Sequence, residues 1–104
     1  MANMTVIYKT PKNKEAFEKH YYNVHIPLAK QLPGLRKYIV NKGNIISPSG
    51  NEETFWIGNL YFDNLEAIKK AFDTDIGRQC AEDRKILAPD NGDVQIYLYD
   101  TVSV

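Results

Sequence analysis

Four segments of the chain carry the residue patterns of β-strands. In segments 4–9 and 94–99, side chains alternate between two faces with the two-residue period of a strand. Segments 35–41 and 54–62 are rich in the β-branched and aromatic residues that fit a pleated sheet. The sequence therefore predicts four strands.

A helical pattern fills the interval between the first two strands. Asn13 is suited to cap the start of this helix. Pro27 lacks the backbone N–H that an uninterrupted helix needs, so we expect a kink or a restart just after His25. The apolar residues recur at spacings of three and four, which places them on one helical face: Phe17, Tyr21, Val24, Leu28 and Leu32.

A second helical region is predicted after the third strand. Asp63 and Glu66 have the spacing of a capping box, with Asp63 at the cap. A further helical piece spans about 75–87, after a break near residues 75–77. The first piece has one apolar face, formed by Leu65, Ile68 and Phe72.

The predicted order is strand, helix, strand, strand, helix, strand. Residues 13–19 and 64–70 form a weak internal repeat, matching at Asn, Glu, Ala and the final Lys, so each half is a split βαβ unit. Two interleaved units form one four-stranded antiparallel sheet with both helices on one face. The sequence therefore predicts a single α+β domain over residues 1–104 with the ferredoxin-like βαββαβ topology.

Both faces of this sheet are predicted to be apolar or aromatic. A one-sided antiparallel sheet is usually polar on the face away from its helices. A second copy of the subunit is the simplest cover for an apolar face, by packing of sheet on sheet in a closed twofold dimer. We therefore expect a homodimer. The alternating residues are Phe55, Ile57 and Tyr61 with Trp56, Leu60 and Phe62, and Val94, Ile96 and Leu98 with Tyr97 and Tyr99.

The composition argues against several classes of protein. The 104 residues include 13 Lys and Arg and 13 Asp and Glu, for a net charge of zero, whereas nucleic-acid-binding modules need a surplus of basic residues. The single cysteine, Cys80, provides neither a disulfide framework nor a zinc cluster and is interpreted as a packing residue. Neither a signal peptide nor a membrane span is recognisable. The sequence predicts a cytoplasmic protein that binds neither nucleic acid nor membrane.

No motif for a metal or a cofactor stands in the sequence. His20 and His25 are five residues apart and would lie about 140° apart around a helix, which is not the same-face pair of a helical metal site. A glycine-rich phosphate loop and a nucleophile elbow are absent as well. We therefore predict no metal and no cofactor.

His25 is the candidate for chemistry, because a cleft between helix and sheet can open beside the Pro27 interruption. A neutral imidazole near pH 7 can move a proton or hold a substrate oxygen. The alternative is a partly buried histidine that only packs or caps. On spacing alone, His20 and Asp83 are interpreted as solvated helix residues.

Most of the seven tyrosines, and Trp56 with them, are interpreted as core and interface residues. A few of these aromatic side chains can instead line an apolar pocket with sparse polar groups, which suits a hydrophobic small molecule. We assign Tyr21, Tyr38 and Trp56 to that pocket.

The residues around His25 also resemble a family signature. The segments HYYNVHIPLA (20–29) and LPGLRKY (32–38) are similar to the pattern of the EthD family, named for a protein associated with bacterial degradation of ethyl tert-butyl ether. Tyr61-Phe62-Asp63 before the second helical region and Asp83 late within it extend the resemblance more weakly.

The resemblance implies a ferredoxin-like subunit in a dimeric α+β barrel, with His25 and Asp83 as catalytic residues. It also implies oxidoreductase-type activity, since relatives with this barrel act as cofactor-free monooxygenases, isomerases and cyclases. Because the two helical regions run antiparallel, we expect the end of the first near the start of the second. That arrangement predicts no direct contact between His25 and Asp83.

Three functions remain open at this point. The first is a cofactor-free enzyme for a hydrophobic or aromatic substrate, with His25 as acid or base and Tyr21 or Tyr38 orienting the substrate. The second is a non-catalytic accessory protein of a degradation pathway, in which His25 only hydrogen-bonds the ligand. The third is haem binding through His25, which no sequence feature requires.

Overall fold

The computed structural model describes residues 1–50 and 53–104 and contains the predicted βαββαβ topology. The strands form one antiparallel sheet in the order β2-β3-β1-β4, with the elements bounded as follows: β1 Ala2–Lys9, α1 Lys14–His20, a π-helical turn Tyr21–His25, α2 Ile26–Ala29, β2 Lys37–Val40, β3 Thr54–Phe62, α3 Leu65–Phe72, α4 Asp75–Leu87, a 3-10 turn Asn91–Asp93 and β4 Val94–Asp100. Within the described part of the chain, no helix is long and apolar enough to cross a membrane.

The predicted elements differ from the observed ones mainly at their ends. β3 and α4 have the predicted bounds, whereas β2 is shorter than predicted. β1 and β4 extend further, because they pair along their whole length from Tyr8 opposite Val94 to Ala2 opposite Asp100. Backbone pairing with a neighbouring strand therefore decides where β1 and β4 end.

The two predicted helix caps had different outcomes. Asn13 caps α1 as predicted, by accepting a 3.0 Å hydrogen bond from the N–H of Ala16. The cap of α3 was predicted wrongly, because Asn64 rather than Asp63 accepts a bond from the helix, at 2.8 Å. Asp63 instead forms an ion pair with Arg36 at 2.8 Å, a long-range partner that the local spacing does not contain.

The interruption predicted at Pro27 takes the form of a π-helical turn. The N–H of Ile26 donates to the carbonyl of Tyr21, five residues back, and α2 restarts with Pro27 in its first turn, where a missing N–H is tolerated. The wide turn directs Tyr21 and His25 both into the interior, where they are 1% and 8% exposed.

The core consists of two clusters between the helices and the sheet. Met4 and Tyr38 pack against both clusters and so mark their junction. The first cluster lies under α2, α3 and α4, and the second under α1 and the π-helical turn. The buried members of the first are Ala2, Ala29, Leu32, Leu60, Phe62, Ile68, Ala71 and Cys80, and those of the second are Val6, Tyr8, Phe17, Tyr21, Trp56, Leu87 and Ala88.

The sheet face away from the helices is less apolar than predicted. The register places Asn3, Thr5, Asn59 and Tyr99 together near its centre. Asn3 Nδ2 donates to Asn59 Oδ1 at 3.1 Å and to the Tyr99 hydroxyl at 2.8 Å, and Thr5 Oγ1 donates to Asn59 Oδ1 at 2.9 Å. Three strands contribute to this cluster, which explains why no single strand revealed it. Exposed or half-buried apolar side chains surround it, among them Ile57, Tyr61 and Tyr97.

Candidate active site

A cavity of about 130 Å³ lies between the helices and the sheet, at the junction of the two core clusters. Its wall is mostly apolar, and all four strands contribute to it. Its polar groups are three tyrosine hydroxyls, an imidazole, a thiol and a guanidinium. The lining residues are Met4, Val6, Tyr8, Tyr21, His25, Ala29, Tyr38, Leu60, Phe72, Cys80, Ala81, Arg84 and Ile96.

A carboxylate from α4 holds His25 in the cavity wall. Nδ1 of His25 lies 2.8 Å from Oδ2 of Asp83, whose residue is only 7% exposed. The other oxygen of the same carboxylate, Oδ1, lies 2.8 Å from Nε2 of His20. One carboxylate therefore connects an imidazole in the cavity to a second imidazole that borders a groove at the protein surface.

These contacts define what His25 can do as an acid or a base. With Asp83 ionised, Nδ1 carries the proton and donates to the carboxylate, which leaves the Nε2 lone pair for a ligand. Burial lowers the pKa of His25 below its ordinary value, and the hydrogen bond to Asp83 opposes that shift. The neutral, proton-accepting form of His25 is thus favoured near neutral pH.

Tyrosine hydroxyls supply most of the remaining polar surface of the cavity. The hydroxyls of Tyr21 and Tyr38 share a short hydrogen bond. Burial raises the pKa of Tyr21 to about 12 and also raises the pKa values of Tyr8 and Tyr38. All three hydroxyls therefore stay protonated at neutral pH. Tyr8, and whichever of Tyr21 and Tyr38 accepts their shared hydrogen bond, can donate a hydrogen bond to a ligand oxygen.

Because Gly58 has no side chain, the hydroxyls of Tyr21 and Tyr38 have room to form their hydrogen bond. A Cβ atom at this position would lie 2.8 Å from the hydroxyl oxygen of Tyr21 and 3.7 Å from the ring of Tyr38. The hydroxyl of Tyr21 therefore occupies the space above the strand that a side chain on residue 58 would fill.

The cavity also contains the thiol of Cys80 and the guanidinium of Arg84. Burial raises the pKa of the Cys80 thiol to about 11, so it is protonated and poorly nucleophilic at neutral pH. The predicted role of Cys80 as a buried packing residue agrees with its place in the first core cluster. Arg84 contributes a positive charge that disfavours protonation of His25. In the described residues, no carboxylate lies within 4 Å of the Arg84 guanidinium.

The three predicted pocket residues are in two places. Tyr21 and Tyr38 line the cavity. Trp56 is buried in the second core cluster and contacts Tyr21, with ring centroids 5.1 Å apart, but it is not among the described residues that line the cavity. Its contact with the cavity is therefore indirect, through Tyr21, and its part in binding stays a prediction.

The predicted separation of His25 and Asp83 is wrong, as is the interpretation of His20 and Asp83 as solvated residues. The antiparallel arrangement itself is present, since Leu28 borders Arg78 while Phe17 borders Leu87. The first helical region packs mainly on α4, however, and that region continues past Pro27 to Ala29. His25 consequently lies opposite the second half of α4, where Asp83 stands.

The sequence analysis missed four residues of the site: Tyr8, Gly58, His20 and Arg84. A glycine inside a strongly aromatic strand is a usable signal, because it often marks close approach of another group to the backbone. The others carry no such signal, since only the packing of α4 on the first helical region brings Asp83 to His20 and places Arg84 beside His25. In the part of the chain that the structure describes, no group of three or more His, Cys, Asp or Glu side chains is arranged to hold a metal ion.

Comparison with known proteins identifies the relatives of the chain. The model of the EthD domain matches residues 9–89. The chain belongs to the EthD family. An uncharacterized 11.0 kDa protein of the thcB-thcC intergenic region of Rhodococcus erythropolis is 30% identical to this EthD chain over 84 residues, which are 80% of each chain. The crystal structure of an EthD family protein from Bacillus halodurans is 28% identical, with a TM-score of 0.87 over 98% of this chain and 99% of that one.

More distant structures share the ferredoxin-like fold of this EthD chain. SnoaB from Streptomyces nogalater, described as a cofactor-independent oxygenase, is 9% identical, with a TM-score of 0.69 over 99% of this chain and 94% of that one. A dimeric protein with a ferredoxin-like fold from Bacteroides fragilis is 19% identical, with a TM-score of 0.67 over 96% and 95% of the two chains. These likenesses establish the predicted α+β fold of the EthD subunit.

Proposed function

We propose that this EthD protein is a cofactor-free enzyme that moves a proton on a small hydrophobic or aromatic substrate, with His25 as the acid or base. The observation that carries the proposal is the bond from His25 Nδ1 to the buried Asp83. It orients an imidazole in the wall of an apolar cavity and leaves Nε2 for the substrate.

The size of the cavity limits the substrate. An engineered cavity of about 150 Å³ in another protein binds benzene, and the cavity beside His25 has a volume of about 130 Å³. The enclosed part of the substrate is therefore about one ring in size. A haem does not fit this space, since its porphyrin is several times larger.

The charges around the cavity favour a substrate that carries an oxygen anion or forms one during the reaction. Arg84 supplies a guanidinium, and the protonated hydroxyls of Tyr8 and Tyr38 supply neutral donors. A proton removed by His25 leaves a negative charge on the substrate, which these donors can stabilise. An isomerase then returns the proton to another atom, whereas a cofactor-free oxygenase lets the anion react with O₂. SnoaB supports the second alternative by fold likeness only.

Binding of ring-sized probes tests the assignment of the cavity. We expect benzoate to shift the backbone amide signals of cavity residues such as Tyr38 and Ala81 in a heteronuclear NMR titration. The variant R84Q should bind benzoate at least about tenfold more weakly, because the ion pair with a partly buried guanidinium is lost. Benzyl alcohol, which has the same ring without the charge, should bind both proteins equally.

The exposed arginine of the same helix provides the matched control. Arg78 pairs with Asp75 at 2.7 Å, outside the cavity, so R78Q should leave benzoate affinity unchanged. Equal benzoate affinity in R84Q and the wild type would refute the role of Arg84. Amide shifts confined to a surface groove would place the binding site elsewhere.

We also propose that the protein acts as a homodimer. Tyr97 and Tyr99 are 50% and 44% exposed on the sheet face away from the helices, and the relative from Bacteroides fragilis is described as dimeric. Static light scattering should therefore give a mass of twice the 11.9 kDa of one chain. A mass of one chain at micromolar concentration would rule out the dimer. The cytoplasmic location remains a prediction from the sequence.

A further inference from the structure

Asp83 divides its single negative charge between two histidines that differ in their access to water. The side chains of His25 and Asp83 are 10% and 9% exposed, whereas that of His20 is 27% exposed. Each imidazole lies 2.8 Å from a different carboxylate oxygen. The carboxylate can fully balance one imidazolium, and a second one would add an unbalanced charge.

The surroundings favour His20 as the site of that imidazolium. A positive charge on His25 would lose its hydration in the apolar cavity wall and would be repelled by Arg84. His20 lies at the surface and keeps part of its contact with water. The other titratable groups that face the pair are neutral at pH 7: the hydroxyls of Tyr8, Tyr21 and Tyr38 and the thiol of Cys80.

We propose that His20, although it lies outside the cavity, governs the protonation of His25 through the shared carboxylate of Asp83. When His20 is protonated, its charge is balanced by Asp83 and His25 remains neutral. When His20 is neutral, Asp83 is free to stabilise a proton on His25. His20 is thus a positioning residue for the acid or base. Its effect on catalysis rests on the proposed function, in which His25 is that acid or base.

The arrangement also offsets the positive charge of a substrate proton taken up in the cavity. A proton taken from the substrate by Nε2 of His25 places two imidazoliums beside one carboxylate. His20 then releases the proton on its Nδ1 to water, which restores a single imidazolium and the original net charge of the three groups. One proton enters at His25 and one leaves at His20, so the net charge is unchanged while the substrate proton stays on Nε2 of His25, from which it can return to the product.

A histidine titration by NMR tests this coupling without any substrate. The chain contains two histidines, so their ring Cε1–H signals are assigned by the variants H20Q and H25Q. In H20Q, we expect the signal of His25 to titrate about one pH unit higher than in the wild type, because the competing positive charge is gone. By linkage, His20 should shift upward by the same amount in H25Q.

The control variant removes a positive charge without touching Asp83. Lys19 is an exposed neighbour of His20, and K19Q should leave the titration of His25 where it is. An unchanged His25 titration in a folded H20Q, as judged by a dispersed amide spectrum, overturns the proposal. If H20Q does not fold, an unshifted His20 in H25Q overturns it equally. Coupling without any turnover would leave this inference standing and would count against the proposed function alone.

Discussion

Replacing His25 by alanine is expected to lower the turnover number for a ring-sized substrate by about 10² to 10⁴-fold, the usual contribution of a general acid or base. The imidazole is the cavity group whose proton affinity suits transfer near neutral pH, since burial raises the pKa values of the three cavity tyrosines and of Cys80. Single-turnover kinetics of H25A and the wild type, with the enzyme in excess of the substrate and of the Kd, measure this loss directly.

The pH dependence of the wild-type rate provides a second measure of the same role. A base must be unprotonated to act, and burial lowers the pKa of His25 below the ordinary value of 6.5. We therefore expect the rate to stay level as the pH falls through 6.5 and to decline only at lower pH. A rate that already halves above pH 6.5 would contradict this assignment of the base.

A control variant at a neighbouring tyrosine distinguishes loss of the catalytic group from a general disturbance of the helix. Tyr22 is 52% exposed and lies in the same π-helical turn, so Y22F should retain the wild-type rate. If H25A keeps the wild-type rate but binds its ligand more weakly, the accessory-protein hypothesis is favoured, because His25 then only hydrogen-bonds the ligand. The enzyme and accessory-protein hypotheses are thereby distinguished in one experiment.

The fold of this protein is predictable because its determinants are local. The two-residue alternation in β1 and β4 and the cap at Asn13 depend only on neighbouring residues. The consequence of Pro27 could also be derived, since a missing N–H acts wherever a helix meets it. Only the form of that interruption, a π-helical turn, required the structure.

The candidate site is predictable only in part, because its contacts join distant segments. His25 and Asp83 are separated by 58 positions in the chain, and no local sequence pattern at either residue predicts their contact. The family resemblance includes both residues, yet the expected antiparallel packing paired His25 with the wrong part of the second helical region. The position of α4 relative to α3 decides this pairing, and that position depends on close packing at their junction.

Gly77 allows α3 and α4 to pack closely where they join. We expect Gly77→Ala to destabilise the fold by about 2 to 4 kcal/mol. A Cβ atom there would lie 2.5 Å from the carbonyl oxygen of Ala71 and 2.8 Å from the carbonyl carbon of Phe72. Backbone atoms of α3 cannot rotate away as side chains do. The helix propensity that alanine gains over glycine, about 1 kcal/mol, is too small to compensate. Urea unfolding monitored by circular dichroism measures the difference.

The matched control is a glycine whose extra Cβ has room. At Gly92, the nearest neighbour of a Cβ atom is an oxygen of Asp90 at 3.4 Å, so Gly92→Ala should change stability by less than about 1 kcal/mol. Because Thr74 also bonds to Gly77 and Ala71, at 3.0 and 2.6 Å, a displaced α4 would carry Asp83 away from His25. Gly77→Ala should therefore shift the His25 titration even in the folded fraction. Wild-type stability in this variant would show that α3 and α4 do not pack as closely as described.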